Sequence, residues 1–171
     1  METKKRWDIL AEIIKEFDLK TGAEVGAKTG LNIRNVLLRC PGFSFVGIDH
    51  WDPKRKYQNW TSMSQIVNEK KFDSVCKEFP GRTKKYKYMS DVAAGFFENE
   101  SLDLVFIDAS HDFDSVHYDI LTWLPKIRPG GFICGHDYDH PKIGEVKRAV
   151  DYFFDDKVIA LFDDYVWAYQ K

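Results

Sequence analysis

Apolar residues recur along the chain with two alternating periods, one helical and one extended. Near the N-terminus, five large apolar side chains recur at three- and four-residue intervals, which predicts an amphipathic helix over 4–18. The segment 31–40 repeats this spacing, and the Pro41-Gly42 pair predicts its end. Further helices are predicted at 62–78, 91–97, 113–127 and 143–154.

Between these helices lie short apolar or alternating segments that are typical of strands. The run Arg128-Pro129-Gly130-Gly131 predicts a break between the helix before it and the strand after it. The predicted strands are 22–26, 43–49, 84–90, 102–108 and 131–137, followed by a terminal hairpin of 157–162 and 165–170.

The alternation of strands and helices predicts an α/β fold with a doubly wound, mainly parallel sheet. The continuous apolar run in 102–108 suits a strand that is covered on both faces. The hairpin adds an antiparallel edge, which gives seven strands in all. Ligands bind such sheets beyond the carboxyl ends of the strands, so the residues that follow each strand are the candidates for function.

Composition favours a single domain over 1–171, with an N-terminal helix in 1–19 and a ligand-binding core in 20–171. The 171 residues are 44% apolar, enough to bury a core, and the net charge of −2 gives no steering toward nucleic acid or membrane.

Three cysteines without a CxxC indicate reduced thiols. No apolar run has the length of a signal peptide or a membrane span. We therefore expect a soluble, cytoplasmic protein.

The first predicted strand ends in the sequence EVGAKTG, which contains Glu24, Gly26 and Gly30. Glycine allows a tight turn and a close approach of the backbone to a ligand. The spacing G-x-x-x-G differs from the GxGxxG of dinucleotide sites, which disfavours a nicotinamide oxidoreductase. A strand-to-helix turn without a ligand remains the alternative.

Acidic and hydroxyl side chains follow the second and third strands. Asp49 is placed to accept hydrogen bonds from the two hydroxyls of a ribose, although an acid after a strand also serves as a turn residue. Ser90 and Asp91 follow the third strand, where Ser90 is a candidate either for capping the next helix or for contacting a base.

Asp108 and Asp137 follow the fourth and fifth strands. If these strands are neighbours, two carboxylates meet at one edge of the sheet, and a hard divalent cation such as Mg²⁺ would relieve their repulsion. His136 and Asp112 are candidate additional ligands; bonding of both acids to loop amides is the alternative. His111 lies three residues beyond Asp108, and the ordinary pKa of a histidine side chain suits a general base.

Six segments of the chain carry a family resemblance; in order they are EVGAKTG, FVGID, MSD, LDLVFIDASH, RPGGFICGHDY and GEVKRAVDYF. Through them the chain resembles the class I S-adenosylmethionine-dependent methyltransferases, which have a Rossmann-like fold. The chain is more narrowly similar to the small-molecule O-methyltransferases related to macrolide-sugar and rhamnosyl enzymes, and more distantly to catechol O-methyltransferase. The resemblance covers roughly 20–170.

The resemblance implies a role for each candidate residue. The methionine end of the cofactor would contact Glu24, Gly26 and Gly30. The ribose would bind Asp49, and the adenine would lie near Ser90 and Asp91. Asp108 would border the cofactor and would hold the metal together with Asp137 and His136, and His111 would be the base. Two departures stand out. His136 replaces an acid that metal-dependent relatives often have, and the chain lacks their long N-terminal cap.

The loop 50–61 carries Trp51, Tyr57 and Trp60, which could stack on a substrate in place of that cap or pack over the helix below.

The resemblance therefore implies methyl transfer from S-adenosylmethionine to a hydroxyl of a small molecule or sugar, assisted by Mg²⁺ or a similar cation. Two alternatives stay open: a cofactor- or nucleotide-binding module without methyl transfer, and a methyltransferase acting on a macromolecule. We expect no membrane partner and, without a DPPY- or NPPY-like tetrapeptide, no nucleic-acid partner. Related enzymes are often dimers or larger, so a homo-oligomer is a further expectation.

Overall fold

The computed structural model describes residues 3–54, 62–155 and 159–171. Helices and strands alternate in the predicted order. The helices are α1 (Arg6–Glu16), α2 (Leu31–Arg39), α3 (Ser62–Glu78), α4 (Ser90–Ala94), α5 (Phe113–Trp123) and α6 (Gly144–Phe153), with a 3₁₀ turn at Leu124–Lys126. The strands are β1 (Thr21–Val25), β2 (Ser44–Asp49), β3 (Lys85–Lys87), β4 (Leu102–Ile107), β5 (Ile127–Gly135), β6 (Ala160–Leu161) and β7 (Trp167–Gln170).

All seven strands belong to one sheet with the order β3-β2-β1-β4-β5-β7-β6. Strands β1 to β5 are parallel, and β7 and β6 form the antiparallel hairpin at one edge. The predicted doubly wound α/β fold is thereby confirmed. Val25 pairs with Ile48 on one side and with Ile107 on the other, so β1, β2 and β4 end at the same edge. The strand order reverses between β1 and β4, which places the switch point at that edge.

The side chains of β4 alternate between two apolar layers. Leu104 and Phe106 join the layer formed with α1, α2 and α3, whereas Val105 and Ile107 join the layer formed with α4, α5 and α6. Every residue of β4 is buried, as the continuous apolar run predicts. Because packing on both faces fixes the position of this strand, it also fixes the position of its carboxyl end, which the candidate site residues follow.

The sequence prediction is wrong at the start of β5. The segment 128–130 was expected to break the chain, but it lies within a strand that begins at Ile127, and α5 ends at Trp123 instead of 127. The register explains the difference: Leu102 pairs with Ile127 but Leu104 pairs with Phe132, so the pairing shifts between them and leaves a bulge in β5. A proline inside such a bulge has no ladder hydrogen bond to lose.

Asp103 of β4 ties this bulge to the rest of the sheet. Its carboxylate accepts hydrogen bonds from the backbone N–H groups of Lys20 and Thr21, at 2.7 and 2.8 Å, and forms an ion pair with Arg128. Together these bonds hold the pKa of Asp103 below its ordinary value, although burial opposes them. The irregular start of β5 is therefore anchored by a charge within an apolar strand.

Other differences concern element length. β3 has three residues where seven were expected, and Ser90 already belongs to α4. The hairpin prediction is confirmed, although β6 has two residues. The predictions for Tyr57 and Trp60 lie outside the described residues.

Candidate active site

The carboxyl ends of the parallel strands open on a cavity of about 690 Å³. This volume is in the range of small-molecule sites. The cavity extends across the ends of β3, β2, β1, β4 and β5, which is the position that the switch-point rule predicts. Its lining includes these predicted residues: Glu24, Gly26, Asp49, Ser90, Asp91, Asp108, His111, His136 and Asp137.

Two glycines shape the turn between β1 and α2. Gly26 has a φ of +92°, and a Cβ built there would lie 2.2 Å from the carbonyl oxygen of Asp108, so only glycine allows the two loops to approach this closely. Gly30, with a φ of +73°, is the N-cap residue of α2, and a Cβ there would meet the ring of Phe72 at 2.9 Å. Gly30 thus packs against α3 behind the turn, and its contact with a cofactor stays a prediction.

Glu24 is a buried acid with an incomplete set of hydrogen bonds. Its Oε1 accepts a hydrogen bond from Asn32 Nδ2 at 3.1 Å, and both side chains line the cavity. Glu24 Oε2 and Asn32 Oδ1 are buried and have no hydrogen-bond partner among the described residues. Burial, and then the nearby Asp108, raises the pKa of Glu24 to about 8. Once Glu24 has given up its proton, these two unmatched oxygens suit a ligand with several N–H donors, such as an ammonium group.

Asp49 stands at the end of β2 and organises the neighbouring backbone. Its Oδ2 accepts a hydrogen bond from the N–H of Lys28 at 2.9 Å, and its Oδ1 accepts one from the N–H of Trp51 at 3.1 Å. Each oxygen keeps a further lone pair for a ligand hydroxyl. Trp51 is fully buried, with its ring centroid 4.9 Å from that of Phe72. Of the two alternatives for this tryptophan, packing over the helix is the one observed.

Ser90 does not cap α4, because Met89 occupies the N-cap position and no side chain caps the helix. The Ser90 hydroxyl instead donates to Asp119 Oδ1 at 2.5 Å and accepts from Trp123 Nε1 at 2.9 Å. Asp91 is exposed in the first turn of α4. Asp119 is a site residue that sequence reasoning missed, although a charged residue within the apolar pattern of α5 was an available signal.

Asp108 and Asp137 meet at the edge of the neighbouring strands β4 and β5. The ligand atoms of Asp108, His111 and Asp137 lie within 4.8 Å of one another. His111 Nε2 is 2.9 Å from Asp137 Oδ2, and His136 Nδ1 is 3.1 Å from Asp137 Oδ1 and 3.7 Å from Asp108 Oδ1. Asp112 caps α5 by accepting from the N–H of Ser115 at 3.0 Å, so its side chain turns to the helix.

Charge in this cluster is partly compensated. Burial raises the pKa of Asp108 despite the guanidinium of Arg6, which donates to Oδ2. Burial also opposes the effect of the two histidines on Asp137, but their hydrogen bonds hold the pKa of Asp137 well below its usual range. The hydrogen bond to Asp137 raises the pKa of His111. The result is an ionised carboxylate supporting an imidazole at the cavity wall.

Arg6 reaches the cluster from α1, at the start of the described chain. Its backbone N–H donates to Asp164 Oδ2 at 2.9 Å, which ties α1 to the turn of the C-terminal hairpin. This arginine was not predicted as a site residue, because no local pattern relates position 6 to position 108.

The donor set fits a divalent cation. The carboxylates of Asp108 and Asp137 and an imidazole nitrogen of His111 converge, and His136 Nδ1 lies beside both acids. Arg6 already compensates part of the negative charge of Asp108. We therefore expect a weaker cation site than three free carboxylates would form.

The fold and the site together define an α/β domain with a cavity across its strand ends and a candidate proton acceptor, His111, in the cavity wall. The chain belongs to the family described as "Methyltransferase domain", whose match spans residues 23–138. The resemblance to methyltransferases is thereby confirmed. No curated protein matches the chain by sequence. Within the described ranges, no helix is both long enough and apolar enough to cross a membrane.

Solved methyltransferases share the fold at low sequence identity. The O-methyltransferase TomG from Streptomyces achromogenes, involved in tomaymycin synthesis and solved in complex with SAM, is 14% identical, with 100% of this chain and 82% of that chain covered and a TM-score of 0.67. The SAH-bound methyltransferase PaMTH1 of Podospora anserina is 15% identical over 100% and 80% of the two chains, with a TM-score of 0.67.

The TDP-rhamnose 3′-O-methyltransferase CalS11, an enzyme in calicheamicin biosynthesis, is 12% identical over 95% of this chain and 77% of that chain, with a TM-score of 0.66. At these identities the likeness establishes the fold.

Proposed function

We propose that the protein transfers a methyl group from S-adenosylmethionine to a hydroxyl of a small molecule or sugar. The observation that carries this proposal is one cavity that joins the unmatched acceptors of Glu24 and Asn32 to the acid–histidine cluster. Family membership supports methyl transfer. The O-methyltransferases among proteins of the same fold support an oxygen acceptor.

The donor half of the site follows the order of the strands. The ammonium group of the cofactor's methionine would lie against Glu24 and Asn32 at the end of β1, beside the backbone of the Gly26 turn. The ribose hydroxyls would meet Asp49 at the end of β2. The base would then extend toward the end of β3, where Ser90 and Asp91 lie. A molecule bound in this way points its sulfur toward β4.

His111 is proposed as the base. Its Nε2 donates to Asp137 Oδ2, which leaves Nδ1 as the nitrogen with a lone pair. The hydroxyl proton of the acceptor would pass to Nδ1, and the Asp137 carboxylate would stabilise the imidazolium that forms. As the O–CH₃ bond forms, the S–CH₃ bond breaks and sulfur keeps the electron pair, which yields S-adenosylhomocysteine.

Asp108 and Asp137, with His136 as third ligand, would hold Mg²⁺ or a similar cation. When bound, a divalent cation lowers the pKa of a hydroxyl that it contacts. The contribution of the chain is to hold donor and acceptor in register, which is worth several orders of magnitude in rate when the reacting atoms are aligned.

Calorimetry with S-adenosylhomocysteine tests the donor half of the proposal. At pH 7 the buried Glu24 is mostly protonated, and an ammonium group beside it favours the carboxylate, so binding should release up to one proton. The release is measured as a dependence of the binding heat on the ionisation enthalpy of the buffer. Absence of binding at ligand concentrations up to ~1 mM would contradict the proposal.

The acceptor half is tested by the formation of S-adenosylhomocysteine from S-adenosylmethionine in the presence of sugar and phenol hydroxyls, with Mg²⁺ or with EDTA. Acceptor-dependent turnover is the expected result, and it should fall in EDTA. Tight cofactor binding without turnover on any hydroxyl acceptor would instead favour a binding module of the same fold.

A further inference from the structure

The first residue of α4 and one face of α5 enclose the end of the cavity that lies beyond β3. Asp119 of α5 lines this end and is 5% exposed. Within the described ranges, no lysine, arginine or histidine forms an ion pair with it. A buried carboxylate without a cation is costly unless donors surround it.

The hydrogen bonds around Asp119 have a fixed direction. Trp123 Nε1 can only donate, and it donates to Ser90 Oγ at 2.9 Å. The Ser90 hydroxyl therefore gives its own proton to Asp119 Oδ1 at 2.5 Å. This chain of donors ends on the carboxylate, and Asp119 Oδ2 has no hydrogen bond with any described residue. Asp119 Oδ2 is therefore available to accept a hydrogen bond from a donor group of a ligand in the cavity.

The order of the strands identifies that part of the ligand. On the proposed function, the methionine lies at β1 and the ribose at β2, so the base reaches the end of β3 where Asp119 and Ser90 face the cavity. Met89 and Tyr118 line the same end and offer apolar surface to a purine ring. Burial raises the pKa of Asp119 to about 6, so the side chain is an acceptor at neutral pH.

We propose that Asp119 accepts a hydrogen bond from the 6-amino group of the cofactor's adenine and thereby selects a 6-aminopurine over a 6-oxopurine. This inference rests on the proposed function and names the residue that sets its base specificity. A 6-oxo group would place a second acceptor against the carboxylate. Asp91, the acid that the resemblance implied for the adenine, also lines the cavity but is exposed in the first turn of α4.

The test compares the dissociation constants of S-adenosylhomocysteine and S-inosylhomocysteine for the wild-type protein and for Asp119→Asn. Asparagine can still accept the Ser90 hydrogen bond, and its NH₂ group can donate to a 6-oxo group. The wild type should prefer the adenosyl compound by more than about tenfold, and the variant should reduce this ratio to about threefold or less. Asp114→Asn, an exposed change on the same helix, should keep the wild-type ratio.

Each outcome separates the two proposals. A wild type that binds S-adenosylhomocysteine but does not distinguish it from S-inosylhomocysteine overturns the role of Asp119 and leaves the proposed function standing. Unchanged selectivity in Asp119→Asn, or its loss in Asp91→Asn instead, also overturns it. If the wild type binds neither compound, the proposed function fails, and this inference fails with it.

Discussion

At the scale of one residue, Glu24 is buried in surroundings that disfavour its charged form when no ligand is bound. The residue is 2% exposed and its carboxyl group accepts one hydrogen bond from Asn32; within the described ranges no ion pair includes it, and the charge of Arg6 only partly offsets its burial. Burying such a group costs free energy in its charged form, so it favours the neutral acid. A bound ammonium group would reverse that preference, which couples ligand binding to the charge of this residue.

The pH dependence of stability should report Glu24. Burial, followed by the repulsion of Asp108, raises the folded-state pKa to about 8 from 4.5 in the unfolded chain. The contribution of Glu24 to the free energy of unfolding is therefore complete below pH 4.5 and is lost as the pH rises through 8. Its size is ~1.4 kcal/mol for each unit by which the two pKa values differ. The melting temperature of Glu24→Gln should therefore fall less than that of the wild type between pH 5 and pH 8.

Thermal unfolding at several pH values measures this difference. Glu98→Gln, an exposed substitution of the same chemistry, serves as the control and should follow the wild-type curve. Parallel curves for Glu24→Gln and the wild type would show that Glu24 is not titrating in that range.

His111 should affect turnover without affecting cofactor affinity. In His111→Ala the acceptor hydroxyl loses its base, and general-base catalysis typically contributes about 10²- to 10⁴-fold to the rate. We expect a loss of that size in kcat, with an S-adenosylhomocysteine dissociation constant close to that of the wild type. His117→Ala, in which the lost ring packs against Phe113 and Tyr152 instead of lining the cavity, is the control. Equal turnover in His111→Ala and wild type would remove His111 from the mechanism.

At the scale of elements, the site depends on two loops that approach each other closely. The turn after β1 and the loop after β4 touch at Gly26 and Asp108. The first loop would shape the donor site and the second carries the acid–histidine cluster, so their contact sets the distance between the two halves of the reaction. Helix α1 adds Arg6 to the same place from outside the family match.

Gly26→Ala should damage this contact. The new Cβ would overlap the carbonyl of Asp108, and the φ of +92° is strained for alanine, so we expect a loss of stability of more than about 1 kcal/mol. Denaturant unfolding measures it. Gly42→Ala is the matched control, because a Cβ there meets no atom within 4 Å. Equal stabilities of the two variants would mean that the loops can separate without cost.

At the scale of the whole molecule, the fold is predictable because its signals are local. Helical and extended apolar periods determine the order of the elements, and the apolar run of β4 indicates a strand buried on both faces. The start of β5 escaped prediction because its bulge involves contacts with another strand, such as the ion pair of Arg128 with Asp103 of β4.

The candidate site is predictable in part for a related reason. Residues that follow parallel strands share one edge of the sheet, so Asp49, Asp108 and Asp137 could be placed together from their positions in the sequence. Arg6 and Asn32 could not, because helix packing brings them to the cavity and no strand end marks them; for Asp119 the available signal was a charged residue within the apolar pattern of α5. The roles of all these residues follow from the proposed function.

A crystal structure with bound S-adenosylhomocysteine tests the central claim most directly. The account predicts the ligand across the ends of β1, β2 and β3, with its amino group within hydrogen-bonding distance of Glu24 and Asn32. Its sulfur should face the cluster of Asp108, His111 and Asp137, so that a hydroxyl acceptor fits between them. A ligand bound elsewhere, or one whose sulfur points away from that cluster, would contradict the account.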